Sequence, residues 1–355
     1  MAYTTIDDPS AHFQTKIYSG DGNDDRNITF DGNSDLAADW LWFKRRNQDV
    51  NHIIFDSTAG VNKRFHSNNA NVEANEANFL QAFQSDGFQV GTDADINASG
   101  GTYVAWGWKA NGGSRTTFTE SGTNPGGGRQ VNTTAGFSLI DYTGTVASGA
   151  SGSGTIAHGL GAVPQVMIVK GRSVGGNWNV YHHKIASDAE TDRLKLNENN
   201  AANDFDGYWN DTAPTSSVFT LGKDDNVNLN DGTYVAYLFT PIQGYSKFGS
   251  YTGTGTTNGA FVHTGFKPAW IMVKKTNEAE AWFIADSKRT PINPNDDILE
   301  ANDSAAEGAS TTLDLLSNGF KFRHENGNTT GDSYIYLAFA EHPFVSSKGV
   351  PTTAR

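Results

Sequence analysis

The sequence has 355 residues, a formal net charge of −13 and no cysteine. The acidic balance argues against a nucleic-acid binder and against docking on an anionic membrane, because both tasks need a basic surface. The lack of cysteine excludes disulfides, thiolate metal sites and cysteine nucleophiles, and no apolar run is long enough to predict membrane insertion.

The composition is typical of an all-β protein with many tight turns. Glycine contributes 39 residues, and the aromatic residues are 8 Trp, 12 Tyr and 21 Phe. Glycine adopts the backbone conformations that turns require, whereas aromatic residues are enriched in strands. A disordered chain would not carry this aromatic content.

Four sequence elements recur three times in the same order and at nearly constant spacing. They are a Tyr-x-Gly start (Tyr18, Tyr142, Tyr251), an apolar strand ending in lysine (Lys44, Lys170, Lys274), a segment ending in phenylalanine (Phe88, Phe219, Phe320) and a late strand (Tyr103, Tyr234, Tyr334). Such self-similarity indicates tandem domains. We therefore predict three tandem β-sandwich repeats of about 100 residues, jelly-roll-like in architecture.

The predicted boundaries follow from these anchors. They are an N-terminal arm (1–14), repeat one (15–110), a Gly/Asn-rich extended or flexible linker (111–136), repeat two (137–244), repeat three (245–346) and a C-terminal tail (347–355). Because the second junction is short, repeats two and three are expected to hold a more fixed orientation than repeats one and two.

The late strands, at 103–108, 234–239 and 334–339, are apolar on both faces. A two-layer sandwich covers only one face, so the other needs a neighbouring element, domain or subunit. We predict a homo-oligomer, with a trimer favoured. The alternative is that a short surface helix at residues 72–83, where apolar residues have near-helical spacing, covers this face.

Three stretches of sequence resemble a domain repeated in structural proteins of tailed-bacteriophage virions, notably marine ones. They are the opening MAYTTIDDPSAHFQTKIYSG, the segment from Thr264 to Ile271, and the pairing of Ser-Asp-Gly-Phe with Gly-Thr-Tyr-Val-Ala-Trp in repeat one. Repeat one departs from the pattern at residues 33–36, where the Gly-Phe-x-Pro turn is absent. The resemblance implies a component of the virion surface and no catalytic residues.

Oxygen-bearing side chains alternate in three acidic segments, which makes calcium the one cofactor to consider. The candidate ligands are Asp21, Asn23, Asp25, Asp31, Asn33, Asp35, Asp93, Asp95 and Asn97. Calcium needs six to eight oxygens, but none of the segments has the glycine and glutamate positions of an EF-hand loop. Ordinary turns made by Asp and Asn are the favoured alternative.

Aromatic residues in loop-rich surroundings are candidates for an exposed ligand-binding surface: Trp178, Tyr208 and Trp209. Core packing is the favoured alternative for these rings. Asp204, Asp206 and Asp211 lie beside them and would suit a glycan hydrolase. Repeats one and three lack an equivalent of this segment, however, so we predict no enzymatic activity. The pair His182–His183 is unsuited to binding one metal, because adjacent strand residues point to opposite faces.

Taken with the resemblance, these features predict a non-enzymatic structural protein on the surface of a tailed-phage particle. The expected partners are other virion proteins and host-surface polysaccharide, which loops of a tail-fibre or receptor-binding component would contact. The alternative is a decoration protein that stabilises the capsid, since the sequence has neither shaft repeats nor coiled-coil heptads.

Overall fold

The computed structural model describes residues 2–352, and the fold is all-β, as the composition predicts. Helix within these residues is limited to a 3-10 turn (Pro9–Ala11), α1 (Ala94–Asn97), α2 (Asp206–Trp209) and α3 (Asp225–Asn228). None of the helices in residues 2–352 has the length and apolar content needed to cross a lipid bilayer.

The strands fall into three consecutive units. The first unit (13–108) contains β1 (Phe13–Ser19), β2 (Arg26–Ile28), β3 (Trp40–Arg45), β4 (Ile53–Asp56), β5 (Lys63–Arg64), β6 (Ala74–Asn75), β7 (Leu80–Gln84), β8 (Gly87–Val90) and β9 (Thr102–Trp108). The second unit (116–239) contains β10 (Thr116–Phe118), β11 (Gly126–Asn132), β12 (Phe137–Thr143), β13 (Gly154–Ala157), β14 (Val166–Gly171), β15 (Asn179–His182), β16 (Asp192–Lys195), β17 (Asn203–Asp204), β18 (Val218–Leu221) and β19 (Thr233–Phe239). The third unit (246–343) contains β20 (Ser246–Thr252), β21 (Phe261–His263), β22 (Phe266–Lys275), β23 (Phe283–Asp286), β24 (Leu299–Glu300), β25 (Leu313–Leu316), β26 (Gly319–Phe322) and β27 (Ser333–Pro343).

Each unit has one large antiparallel sheet built on the same strand order. The orders are β1-β9-β3-β4, β12-β19-β14-β15 and β20-β27-β22-β23. The late strand of every unit therefore lies between the strand that carries the Tyr-x-Gly tyrosine (β1, β12 or β20) and the strand that carries the repeated lysine. The second sheet continues through β11 and β10 at one edge and through β16 and β17 at the other, and β24 extends the third sheet.

Stacked tyrosines mark the same register in all three sheets. Tyr18 lies opposite Tyr103, with ring centroids 5.1 Å apart. The equivalent pairs are Tyr142–Tyr234, at 5.1 Å, and Tyr251–Tyr334, at 5.0 Å. The tyrosines that identified the repeats in sequence thus occupy equivalent positions in the fold.

Smaller sheets pack against one face of the large sheets. The sheet β2-β8-β7 shares a core with the first large sheet, through Phe88 and Phe43 among others, whose centroids lie 4.9 Å apart. The sheet β21-β26-β25 does the same in the third unit, where Phe320 packs on Tyr336. In the second unit this position is occupied by β13 and β18.

The opposite faces of the large sheets meet in one core that all three units share. Trp108, Phe239 and Phe339 hold equivalent positions near the ends of the three late strands. The Phe339 ring lies 5.7 Å from that of Trp108 and 5.5 Å from that of Phe239. Burial of large aromatic side chains is the main source of stability in such a core.

This arrangement explains why the late strands are apolar on both faces. Residues 103–108, 234–239 and 334–339 are buried throughout, as the sequence predicts. The second face is covered by the other units of the same chain, so these strands do not by themselves require a second subunit. The oligomeric state stays a prediction, without this argument in its favour.

The helix predicted at residues 72–83 was wrong. This segment contains the short strand β6 and most of β7, and Val72 is 45% exposed. Leu80 and Phe83 instead belong to the β7–β8 hairpin, which turns at Ser85 and Asp86. The helical period was judged from only three apolar residues, which is weak evidence for a helix. Pairing of β7 with β8 determines the structure of this segment instead.

The linker predicted at 111–136 contains β10 and β11, and β11 pairs with β12 along seven residues of each strand. At the chain ends, Ser347 of the tail contacts Asp7 of the N-terminal arm. Of the predicted arm and tail, residues 1 and 353–355 lie outside the described residues.

Candidate functional site: contacts between the three units

The strand that carries the repeated lysine, together with the residues that follow it, supplies the same contact positions in each unit. They are the lysine itself, the carbonyl group two residues later and the ring eight residues later. A loop of the neighbouring unit contacts all three positions. These bridging loops are residues 66–73 of the first unit, 195–202 of the second and 300–307 of the third.

The three lysines are buried and donate hydrogen bonds to backbone carbonyls of the neighbouring bridging loop. Lys170 Nζ lies 3.5 Å from the Ala70 carbonyl oxygen. The equivalent pairs are Lys274 with Asn199, at 3.2 Å, and Lys44 with Ser304, at 3.1 Å. Each accepting residue is the fifth of its bridging loop, so the contact is the same in all three places.

A backbone hydrogen bond follows at the last residue of each loop. The Glu73 N–H donates to the Arg172 carbonyl at 2.9 Å. The equivalent bonds run from Ala202 to Thr276, at 2.8 Å, and from Glu307 to Arg46, at 2.8 Å. Each loop is thus held by its own backbone to the strand end of the next unit.

An aromatic ring completes the contact at the first residue of each loop. Trp178 Nε1 donates to the His66 carbonyl at 2.8 Å, and Trp282 Nε1 donates to the Lys195 carbonyl at 3.0 Å. In the first unit the equivalent ring is the buried His52, which accepts a hydrogen bond from Trp42 Nε1; its Nε2 makes no hydrogen bond of normal geometry within residues 2–352, although the Glu300 backbone is near enough to raise its pKa.

These contacts close a ring within one chain. The loop of the first unit holds the second unit, the loop of the second holds the third, and the loop of the third returns to the first. Every boundary between units is therefore fixed by backbone groups at equivalent loop positions, a carbonyl that accepts from the lysine and an N–H that donates to the strand end.

The residue twelve positions after each repeated lysine forms a hydrogen bond with the late strand of a neighbouring unit, and its type depends on the group that this strand presents. Tyr237 Oη donates to Asp56 Oδ2 at 3.0 Å, and Trp106 Nε1 donates to Asp286 Oδ2 at 3.1 Å. In the remaining boundary, His182 Nε2 instead donates to a backbone carbonyl, that of Tyr336, at 3.2 Å. An acid is thus present at the two boundaries where the late strand carries a side-chain donor. At the third boundary, the equivalent residue of the late strand is the apolar Leu337 and the acid is replaced by His182.

Arginines neutralise both buried acids. Arg172 of the second unit forms ion pairs with Asp56 and Glu73 of the first. Burial lowers the pKa of Arg172, but the two carboxylates raise it by more, so the pKa lies above its ordinary value. Arg289 pairs with Asp286 in the third unit, and both side chains are fully buried. Pairing is needed because an isolated buried charge costs several kcal/mol or more.

The structure does not expose the three rings predicted to bind a ligand. The exposed fractions of Trp178, Tyr208 and Trp209 are 0%, 1% and 1%. Trp178 is the interface ring described above. Tyr208 and Trp209 lie on α2, where the Arg193 guanidinium packs over Tyr208 and Trp209 packs against Tyr181. Core packing, the alternative weighed for these residues, describes their positions.

The acidic segments considered for calcium lie in loops between strands and, at Asp95 and Asn97, in α1. The Asn23 N–H donates to Asp21 Oδ1 at 2.9 Å, and the Asp95 N–H donates to Asp93 at the start of α1. Asp31 pairs with Lys16 and Lys288. The remaining candidates are exposed, at Asp25, Asn33 and Asp35, or buried, at Asn97. Within residues 2–352 no group of three or more His, Asp or Glu side chains is arranged to hold a metal ion.

Asp204, Asp206 and Asp211 are exposed, and Asp206 pairs with Lys223 at 2.6 Å. The neighbouring aromatic rings are turned into the core, so these acids lack the open aromatic platform that a sugar ring would need. His182 and His183 contact different strands of the third unit, at the carbonyls of Tyr336 and Phe248.

Sequence reasoning used the repeated lysines as markers but assigned them no role. The available signal was a charged residue at the end of an apolar strand, three times over, because a buried lysine needs carbonyl or carboxylate partners. The partner loops could not be identified in the same way, since their backbone groups accept hydrogen bonds whatever the side chains are.

We expect the free energy of unfolding to rise between about pH 8 and pH 10. Burial lowers the pKa of Lys44, Lys170 and Lys274 to about 8, from 10.5. Within this range the unfolded state binds more protons than the folded state, so each lysine adds up to about 1.4 kcal/mol per pH unit. Urea denaturation at several pH values measures this change.

Replacing one lysine, as in Lys170→Met, should remove about a third of this rise, since the three pKa shifts are alike. Above about pH 10 the trend should reverse, because burial raises the pKa of tyrosines such as Tyr142 and Tyr237, which ionise first in the unfolded chain. A stability that stays flat or falls from pH 8 to pH 10 would contradict the burial of these lysines.

The variant Tyr237→Phe should lower the free energy of unfolding by about 1.5–3 kcal/mol, because its hydroxyl donates to a charged group across a unit boundary. The matched control is Tyr142→Phe, which removes a buried bond to the Val227 carbonyl inside the second unit. That change should cost about 0.5–1.5 kcal/mol. Equal costs in urea denaturation would argue against a charged Asp56 at the boundary.

Comparison with known proteins assigns the chain to a family. It belongs to the family described as "Domain of unknown function (DUF7483)", which matches residues 8–343. No curated protein and no solved structure matches the chain.

Proposed function

We propose that this chain is a non-enzymatic structural protein of a tailed-bacteriophage particle, of the tail-fibre or receptor-binding type. The closed ring of contacts between the units carries the proposal. Trp178, which the sequence suggested for ligand binding, and His182, which it considered for a metal, both contact a neighbouring unit and help to hold the units together. The resemblance of the sequence to virion structural proteins points in the same direction.

A protein on a particle surface must keep its shape outside a cell. Without cysteine it cannot use disulfides, so packing has to supply this stability. A core shared by three units, with hydrogen bonds and buried ion pairs at its boundaries, suits that task. Loops at the ends of the sheets remain available to contact host-surface polysaccharide or other virion proteins.

The second candidate is a decoration protein that stabilises the capsid. It is favoured by the arrangement of the units around one core, which is compact where a fibre shaft would be extended. A homotrimer is compatible with either candidate, because fibres and decorations commonly occupy three-fold or six-fold sites.

Gold-labelled antibody against the chain should bind intact particles of the phage that encodes it. Label at the tail tip supports the receptor-binding role, and label spread over the head supports decoration. Particles that show no label, although the antibody recognises the purified chain, would contradict a place on the particle surface.

Purified protein should leave host capsule and lipopolysaccharide unshortened, because the exposed acids Asp204 and Asp206 lack an open aromatic platform. Gel filtration of the glycan after incubation measures its length. Shortening of the glycan by the unaltered chain, but not by the Asp204→Asn or Asp206→Asn variant, would overturn the non-enzymatic assignment.

A further inference from the structure

The strands β1, β12 and β20 hold equivalent places beside the late strands, but only β12 has a second neighbour on its other side. The edge of β12 is covered by β11, which pairs with it over seven residues. The equivalent strands β1 and β20 are the end strands of their sheets. An end strand carries a row of unpaired backbone groups that can accept a further strand.

Two adjoining grooves run along β20, at the boundary between the second and third units. Their volumes are about 530 and 520 Å³, and Lys184, Ser250 and Tyr251 line both. The second unit supplies one wall, including His183, and the third unit supplies the other, including Phe261. The side chain of Phe261 is 46% exposed and offers an apolar contact at the groove.

The grooves along β20 are basic although the chain as a whole carries a net charge of −13. Lys184 and Lys247 line them, and neither aspartate nor glutamate does. Neither lysine forms an ion pair with any carboxylate in residues 2–352. His183 and His263 also line the groove; burial lowers the pKa of His183, and Lys247 Nζ donates a hydrogen bond to the His263 carbonyl at 2.6 Å.

The cleft along β1 has a different character. It has a volume of about 350 Å³ and contains the carboxylates of Asp8, Asp31 and Glu341 beside two lysines. Those lysines are already paired, Lys267 with Glu341 and Lys288 with Asp31. Of the two open edges, only that of β20 therefore borders a basic groove.

The second unit shows how such an edge is occupied. On β12, the chain adds β11 as an antiparallel strand, and Arg115 next to it pairs with Asp141 of β12. Asp141 is equivalent to Ser250 of β20, because both lie five residues into their strands. Strand addition with a charge pair at the edge is thus already present in this fold.

The backbone of β20 is oriented to repeat this pairing. The Phe248 carbonyl accepts a hydrogen bond from His183 Nε2 of the second unit, at 3.1 Å, so it points away from β27. Because backbone direction alternates along an antiparallel strand, Ser250 and Thr252 direct their N–H and carbonyl groups to the same side. These groups face the groove.

We infer that the β20 groove binds an extended, acidic polypeptide segment of another protein, which adds to β20 as an antiparallel strand. Main-chain hydrogen bonds to Ser250 and Thr252 would supply affinity, and carboxylates facing Lys184 and Lys247 would supply selectivity. This inference goes beyond the proposed function and holds for a protein on the tail or on the head alike, so that either can fail without the other.

The probe is a blocked octapeptide of alternating valine and glutamate, labelled with fluorescein, and its control alternates valine and lysine. Fluorescence anisotropy with the full chain should show at least roughly tenfold tighter binding of the acidic peptide. Dextran sulfate should compete weakly, since it has no backbone amides. Equal binding of the two peptides would contradict the preference for an acidic segment. Competition by dextran sulfate as strong as that by unlabelled acidic peptide would overturn strand addition.

The variant Ser250→Pro removes the amide that faces the groove and should weaken acidic-peptide binding at least roughly tenfold, whereas Ser250→Ala should not. The matched control is Ile17→Pro at the equivalent position of β1, which should leave binding unchanged. Lys184→Glu, a change at an exposed residue, should weaken binding without affecting the fold. Unchanged binding in Ser250→Pro and in Lys184→Glu would refute the site.

Hydrogen exchange of the unaltered chain gives a test that needs no variant. Bound acidic peptide should slow exchange of the Ser250 and Thr252 amides and leave those of Ile17 and Ser19 as they were. Equal protection of both strands, or of neither at saturating peptide, would contradict the inference.

Discussion

The central strands of the three large sheets are apolar on both faces, and both faces must be kept from water. A small sheet covers one face of each, but the other can be covered only by the remaining units. No single unit is therefore complete, and the strand order, the bridging loops and the buried charges all serve the closure of the shared core. The aromatic residues Trp108, Phe239 and Phe339 meet where the three units come together.

Closure of the shared core buries three lysines, whose ammonium groups are stabilised by hydrogen bonds to backbone carbonyls. Each repeated lysine lies under a loop of the neighbouring unit, where burial lowers its pKa to about 8. A lysine can reach several carbonyls at once with its three donors, which a shorter side chain could not. The boundaries also differ in detail, because Asp56 and Asp286 face a donor side chain and His182 does not. Such matched differences keep each unit in its own place in the ring.

Much of the fold follows from the sequence, whereas the site does not. The recurrence of tyrosine, lysine and late strand depends on local patterns, and it identified elements that occupy equivalent positions in the three sheets. The exposure of a side chain could not be judged in this way. Trp178 lies in a loop-rich segment, yet its ring is buried at a unit boundary, where Nε1 donates to the His66 carbonyl of another unit. Contacts of this kind join residues 75 to 260 positions apart through backbone atoms, which leave no mark in the sequence. The β20 groove was missed for the same reason.

The central claim is that the three units form one closed ring, and the backbone amides of Glu73, Ala202 and Glu307 report on it directly. These residues lie in partly exposed loops outside the large sheets, and each donates across a boundary between units. Native-state hydrogen exchange, followed by NMR, measures the free energy needed to open each bond. The account predicts that all three amides exchange only through global unfolding, as slowly as amides of the shared core. Fast exchange of any one of them, with the core still protected, would show that the ring is open at that boundary.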